Sequence, residues 1–190
     1  MSKKALFAND ALEQAMLRLL RFETVDQISI TRICREAGVS RPSFYYYYKD
    51  VPQLAWISIR NTIRGYVGRP TGALVSNDAL RGIFTYLQKN DELILNVRDS
   101  NMRAEFVRYM VDDVKRSISY ALHELESERR TKLSASDEGF VVNASTSVFM
   151  GVIRDFVAGD LKQNIEDIVS QCGFLLNNAI PDFLEKRCCA

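Results

Sequence analysis

Residues 41–49, Arg-Pro-Ser-Phe-Tyr-Tyr-Tyr-Tyr-Lys, hold the side chains best suited to chemistry in this chain. The chemistry is recognition rather than bond-making. Arg41 carries a planar fork of donors that fits the edge of a base or a phosphate. Ser43 and the run Tyr45, Tyr46 and Tyr47 add hydroxyls, and Lys49 adds a point charge. Tyrosine hydroxyls, basic side chains and helix N-termini are normal phosphate ligands, and arginine reads base edges. The competing reading makes the four consecutive tyrosines core and rim aromatics of a helical bundle, and the run by itself does not choose.

The flanking residues set how these groups are held. Ser29 or Thr31 can cap a short helix whose Ile30, Ile33, Cys34 and Ala37 share one face. Gly38 then stops it, because glycine enters the left-handed region without a Cβ penalty. Val39 plugs the turn. Ser40 is a good N-cap for a second short helix over residues 41–48, and Pro42 falls in its first turn, where no amide donor is missed. Phe44 and Tyr48 lie four apart and share the face that seals against the first helix. Arg41, Pro42, Ser43, Tyr45, Tyr46 and Tyr47 remain for the other faces. Helix, glycine turn, helix is the layout in which the second helix enters the DNA major groove.

The string Thr31-x-Ile33-x-x-x-Ala37-Gly38-Val39-Ser40-x-x-Ser43-Phe44-Tyr45-x-Tyr47-Tyr48-Lys49-Asp50 resembles the DNA-binding signature of the TetR family of transcriptional regulators. The resemblance implies an all-α chain in two parts: a helix-turn-helix DNA-binding domain over residues 1–50 and a larger helical ligand-binding and dimerisation domain over 51–190. It implies a DNA surface of Thr31, Ser40, Arg41, Pro42, Ser43, Tyr45, Tyr46, Tyr47 and Lys49. Arg41, Ser43 and Tyr46 are expected on base edges, and Thr31, Tyr45, Tyr47 and Lys49 on phosphates. Two departures stand out. Val51 occupies a position where the family usually has a phosphate-reaching lysine, and Tyr48 one where it usually has phenylalanine.

Composition agrees with a helical globular chain. The 190 residues are 47% hydrophobic and 26% charged, with only 4 prolines. Residues 1–60 carry nine Lys/Arg against six Asp/Glu, and the remainder 16 against 18. The mild positive excess falls on the side that would face phosphates. No secretory signal is expected, nor a membrane-spanning window of about 20 apolar residues. Cys34, Cys172, Cys188 and Cys189 fit no metal-site spacing, so no metal and no cofactor are expected, and reduced thiols point to the cytoplasm. One histidine, His123, and no glycine-rich phosphate loop leave the enzyme reading without support.

Helical periodicity continues along the chain. A helix is expected over 5–21, with Leu12, Ala15, Met16, Leu19 and Leu20 inward and Asp10, Glu13, Gln14 and Arg18 between them. Phe22, Val25 and Ile28 then tether a loop. A connector helix runs from Val51 to Val67, with Trp56 as an anchor between the two parts. A Gly/Pro-rich stretch around 65–77 precedes a helix over 78–89 capped by Asn77 or Asp78. A short helix over 92–97 and a cap cluster, Asp99 to Asn101, lead to a long helix ending near Arg129. Residues 124–132 read as a solvated tip. Further helices are expected from Ser136 or Asp137 to Val157, stopped by Gly159, and over 165–178.

Small residues at Ala144, Ser147 and Gly151, with Val148, Cys172, Leu175 and Leu176, suggest close helix packing, and the family resemblance makes this a homodimer interface. The alternative is that these faces complete the monomer core. Phe84, Phe106, Tyr109, Met110, Tyr120, Phe149 and Met150 are the candidates to line an effector pocket, though such a stripe also serves as plain core. The partners expected are double-stranded DNA with a palindromic site, a second copy, and either a small-molecule effector or a partner protein.

Overall fold

The computed structural model describes residues 3–65, 76–161, 163–179, 182 and 186. Among the described residues the chain forms helices and no strands. In order these are α1 (Lys3–Leu20), α2 (Ile30–Ala37), α3 (Arg41–Tyr47), α4 (Val51–Arg64), α5 (Asn77–Lys89), α6 (Asp91–Arg98), α7 (Arg103–Arg129), α8 (Ala135–Ala158) and α9 (Ile165–Phe174). The all-α fold class expected from the sequence is the one found. Residues 66–75, Pro181, Cys188 and Cys189, on which part of that reading fell, lie outside the described residues.

Two compact units divide the chain, one from residues 3–65 with 89–110 and one from 76–88 with the described residues after 110. The first unit thus extends past residue 50, where the functional boundary was expected. Its hub is α1, against which α2, α3, α4 and α6 pack. Leu12, Ala15, Met16, Leu19 and Leu20 are buried there, as their three- and four-residue spacing requires. Val25 and Ile28 pin the following loop inward, but Phe22 points out, 81% exposed. Trp56 on α4 meets Phe106 edge to face, with centroids 5.8 Å apart. This places the Trp56 anchor inside the first unit.

The Asp26 carboxylate, in the loop before α2, ties the 89–110 segment to the rest of the first unit. The Ser100 hydroxyl donates to Asp26 Oδ1 at 2.6 Å, the Asn101 amide N–H donates to the same oxygen, and Asn101 Nδ2 donates to Oδ2. Ser100 Oγ in turn accepts from the Met102 amide, so the cap cluster works as anticipated and also binds a residue 74 positions away. The Ser100 hydrogen bond, reinforced by Thr24 and backbone donors and opposed by partial desolvation, holds the Asp26 carboxyl at about 2, below its ordinary 3.8. A depressed carboxyl stabilises the fold above its unfolded pKa and loses that contribution as pH falls. Acid titration followed by circular dichroism should show the native chain losing stability between pH 3.8 and about 2. In Asp26→Asn the loss in this window is smaller, Asp99 and Glu166 being the other carboxyls held low; an identical acid profile for the two proteins would contradict the assignment.

In the second unit, Ile118, Leu122 and Leu125 on α7 pack with Leu133 and Val141. Phe84 on α5 meets Phe156 on α8 with centroids 5.1 Å apart. Several details differ from the sequence reading. The cap of α5 is Ser76, whose Oγ accepts from the Ala79 amide. Ser134, not a residue within the helix, caps α8. The last long helix ends at Phe174 and widens into a π turn over Leu175–Ala179. Glu126, assigned to a solvated tip, is buried and accepts from the Leu133 amide at 2.7 Å, fastening the turn after α7. The lone His123 is exposed and faces Glu138 at 3.0 Å. Finally, α8 has 24 residues and an 18-residue window of mean hydropathy 1.3, long and apolar enough to cross a membrane by length and composition, although no such segment was expected.

Candidate nucleic-acid interface

Each end of the helix-turn-helix is closed by the residue its type suggests. Ser29 caps α2 by accepting from the Arg32 amide at 3.3 Å. Gly38 sits at φ 67°, ψ 30°, in the left-handed region, and the Val39 amide bonds back to the Cys34 carbonyl at 3.0 Å. The chain reverses here because a residue with a Cβ would be strained. Ser40 caps α3, accepting from the Ser43 amide, while the two serine hydroxyls lie 2.9 Å apart. Pro42 occupies the first turn, as the sequence indicated.

The inward face of α3 is Phe44, fully buried, with Tyr48 buried just beyond the helix end and their rings 5.9 Å apart. The outward faces carry the remaining groups. Tyr46 is 77% and Tyr45 54% exposed. Arg41, Pro42, Lys49, Ser40 and Thr31 are exposed, and Ser43 and Tyr47 are half-buried. Tyr46 and Tyr47 meet edge to face at 4.8 Å, so the phenols are held in place rather than free to sweep solvent. The surface combines a cation, hydroxyl donors and a helix N-terminus on one short element, which suits groove edges and phosphates.

The two departures from the family pattern have structural counterparts. Val51 opens α4 and is buried, so an exposed Lys49 is the cation nearest the end of α3. The Tyr48 phenol donates to Glu13 Oε1 at 2.9 Å, with Asn9 Oδ1 at 2.7 Å. Asn61 Nδ2 donates to both Glu13 oxygens and Asn9 Nδ2 to one of them. A carboxylate taken out of water needs this many donors. Burial, then the Glu13 charge, push the Tyr48 phenol far above its usual range. The extra hydroxyl thus ties the end of α3 to α1 and, through Asn61, to α4.

The sequence reading put Glu13 between the inward apolar residues of α1; its spacing gives no sign of a partner 48 positions away. It also passed over Asp50. That carboxylate caps α4 through Oδ1, accepting from the Gln53 amide at 2.8 Å, and accepts the Tyr109 hydroxyl through Oδ2 at 2.7 Å. Burial, followed by Asp50, raises the Tyr109 phenol.

The expected pocket residues are divided between the units. Phe106, Tyr109 and Met110 belong to the first, where Phe106 meets Trp56 edge to face and Tyr109 binds Asp50. In the second, Phe84 and Phe149 are buried, Met150 is half-buried, and Tyr120 is 63% exposed, pointing out of its unit. Of the expected dimer contacts, Ser147, Val148 and Leu175 are exposed, and Ala144 and Gly151 are half-buried. Cys172 and Leu176, at 4% and 3% exposure, are buried within their own unit. Phe140 and Phe174, 64% and 66% exposed, are further large apolar side chains on the surface of this unit. Phe140 stands four residues before Ala144 on α8.

A helical unit that carries a capped helix-turn-helix with an exposed second helix defines the helix-turn-helix class of DNA-binding proteins. The family model described as "Transcriptional regulator C-terminal region", of the TetR type, matches residues 76–178, more than half of the chain. The chain belongs to the TetR family of transcriptional regulators. Its fold resembles the dihydroxyacetone kinase operon activator DhaS, at TM-score 0.60 and 15% identity over 95% of this chain and 97% of that one. It also resembles a TetR transcriptional regulator from Rhodococcus sp. RHA1 (TM-score 0.60, 16% identity, 92% and 97% covered). A third similar structure is the fatty acid degradation regulator FadR from Bacillus halodurans (TM-score 0.51, 17% identity, 88% and 96% covered). No curated protein matches the chain by sequence.

Proposed function

We propose that this transcriptional regulator works in the cytoplasm as a homodimer on a palindromic DNA operator, repressing until a small apolar or amphipathic effector releases it, by binding rather than catalysis. The observation that carries the DNA reading is the outward face of α3: Arg41, Tyr45 and Tyr46 are exposed on a helix whose opposite side is fixed by a fully buried Phe44. Aromatic surface left in water on a capped, rigid element calls for a covering partner. One helix of this length reads few bases; two copies spaced roughly 34–36 Å apart read a palindrome.

The homodimer is supported by α8 and α9. Only 22% of the most apolar window of α8 is buried, and Phe140, Val148, Phe174 and Leu175 stand exposed in the same unit. A second copy covering them satisfies the surface without a membrane. Phe84, Phe149 and Met150 are the side chains of that unit best suited to meet an apolar effector. A second reading, an activator answering to a partner protein, is favoured by the fold's likeness to DhaS, itself an operon activator.

Selection of bound duplexes from a random pool, followed by salt titration, tests the proposal. A palindrome with affinity falling steeply in salt is the expected result; enrichment of no sequence would defeat it. On the selected site, Arg41→Ala should cost about 1–3 kcal/mol at one base pair and relax the preference there. Tyr47→Phe should weaken binding to all sequences alike. Equal loss on every sequence for Arg41→Ala would remove its base-reading role.

A further inference from the structure

We propose that Tyr109 is a positioning residue for the recognition helix α3, acting through Asp50; the proposal rests on the DNA-binding reading above. Three residues, Tyr48, Lys49 and Asp50, join α3 to α4, and the pose of α3 depends on how this link is held. On one side the Tyr48 hydroxyl is fixed by Glu13 of α1. On the other, Asp50 Oδ1 caps α4 and the Gln53 side chain reaches back to accept from the Lys49 amide at 2.7 Å. These bonds fix the start of α4, but they leave the second Asp50 oxygen unengaged. Tyr109 takes it at 2.7 Å, so the link is anchored to α7 as well as to α1.

The hydroxyl, rather than the ring, carries this role. The Tyr109 ring is half-buried, with the Arg108 guanidinium 5.3 Å from its centroid, so phenylalanine would keep the packing and lose only the bond. Tyr109 also lies inside residues 76–178, the stretch that matches the family's C-terminal region, yet it packs in the first unit. A side chain from the C-terminal region of the sequence therefore braces the exit of the DNA-reading helix directly. Sequence reasoning had assigned it to a pocket.

The test is a mutant cycle on the full chain, with the selected duplex as probe. Tyr109→Phe should weaken operator binding about five- to tenfold, the scale of one typical net hydrogen bond. Binding to random duplex and the melting temperature should stay unchanged. Asp50→Ser keeps a good N-cap but cannot reach Tyr109; in that background Tyr109→Phe should cost nothing further. Equal losses in both backgrounds, no loss at all, or a melting temperature lowered in step with affinity would overturn the proposal. Hydrogen exchange of the free chain gives an arm without DNA: Tyr109→Phe should speed exchange in residues 41–54. If the native chain enriches no duplex, the DNA-binding reading has failed, while exchange still decides whether Tyr109 holds the link; unchanged exchange means it does not.

Discussion

Phe44→Ala is expected to collapse the helix-turn-helix and abolish duplex binding. The Phe44 side chain is fully buried, with Tyr45 edge to face at 5.5 Å and Tyr48 at 5.9 Å. Removing a buried phenyl group forfeits its transfer free energy and leaves a cavity, together about 3–5 kcal/mol. That is a large part of the roughly 5–15 kcal/mol that holds a domain folded. A helix of seven residues has no independent stability, so losing its one buried anchor frees it from α2. Thermal melting by circular dichroism and duplex binding by anisotropy should both show the loss. Tyr46→Ala, at an exposed position, should melt as the native chain does while binding duplex more weakly. A normal melt and normal binding for Phe44→Ala would show that α3 is held by something other than this face.

Leu175→Arg is expected to convert the proposed dimer to monomer. Leu175 is 50% exposed beside Phe174 at 66%, where α9 gives way to its π turn. A guanidinium placed against its own symmetry mate would repel it and would have to shed water without a counter-charge. Linking two modules strengthens binding by about 10²–10⁴-fold over one alone, and the variant should forfeit about that much operator affinity. Light scattering should report a monomer at micromolar concentration, with the melting of the separate chain little changed because the site is exposed. A variant that remains dimeric would move the interface off this face.

Much of the helix-turn-helix was legible in the sequence because its signals are local. Ser29, Gly38, Ser40 and Pro42 each act within four residues, and each does what its type dictates: cap, left-handed stop, cap, first turn. The inward turn of Phe44 and the exposure of Tyr45 and Tyr46 follow from spacing along one short helix. What the sequence did not yield is long-range and polar. Glu13 meets Asn61, Asp26 meets Ser100 and Asp50 meets Tyr109 across 48, 74 and 59 positions. No periodicity encodes such pairs, and a carboxylate between apolar residues looks solvated until its donors are placed around it. The burial of Cys172 and Leu176 was hidden for a related reason. A helical stripe shows that a face is apolar but not whether its own chain or another covers it.

The helix expected from Ser136 or Asp137 to Val157 with a stop at Gly159 is α8, which runs from Ala135 to Ala158 with Ser134 and Gly159 as caps.

For this regulator to read an operator, the outward phenols of α3 must meet DNA. Nitration of the native chain with and without the selected duplex, read tyrosine by tyrosine by mass spectrometry, measures this directly. Tyr45, Tyr46 and Tyr120 are all more than half exposed and should react in the free chain. Bound duplex should protect Tyr45 and Tyr46 and leave Tyr120 reactive. Continued reaction at Tyr45 and Tyr46 under saturating duplex would contradict the central claim.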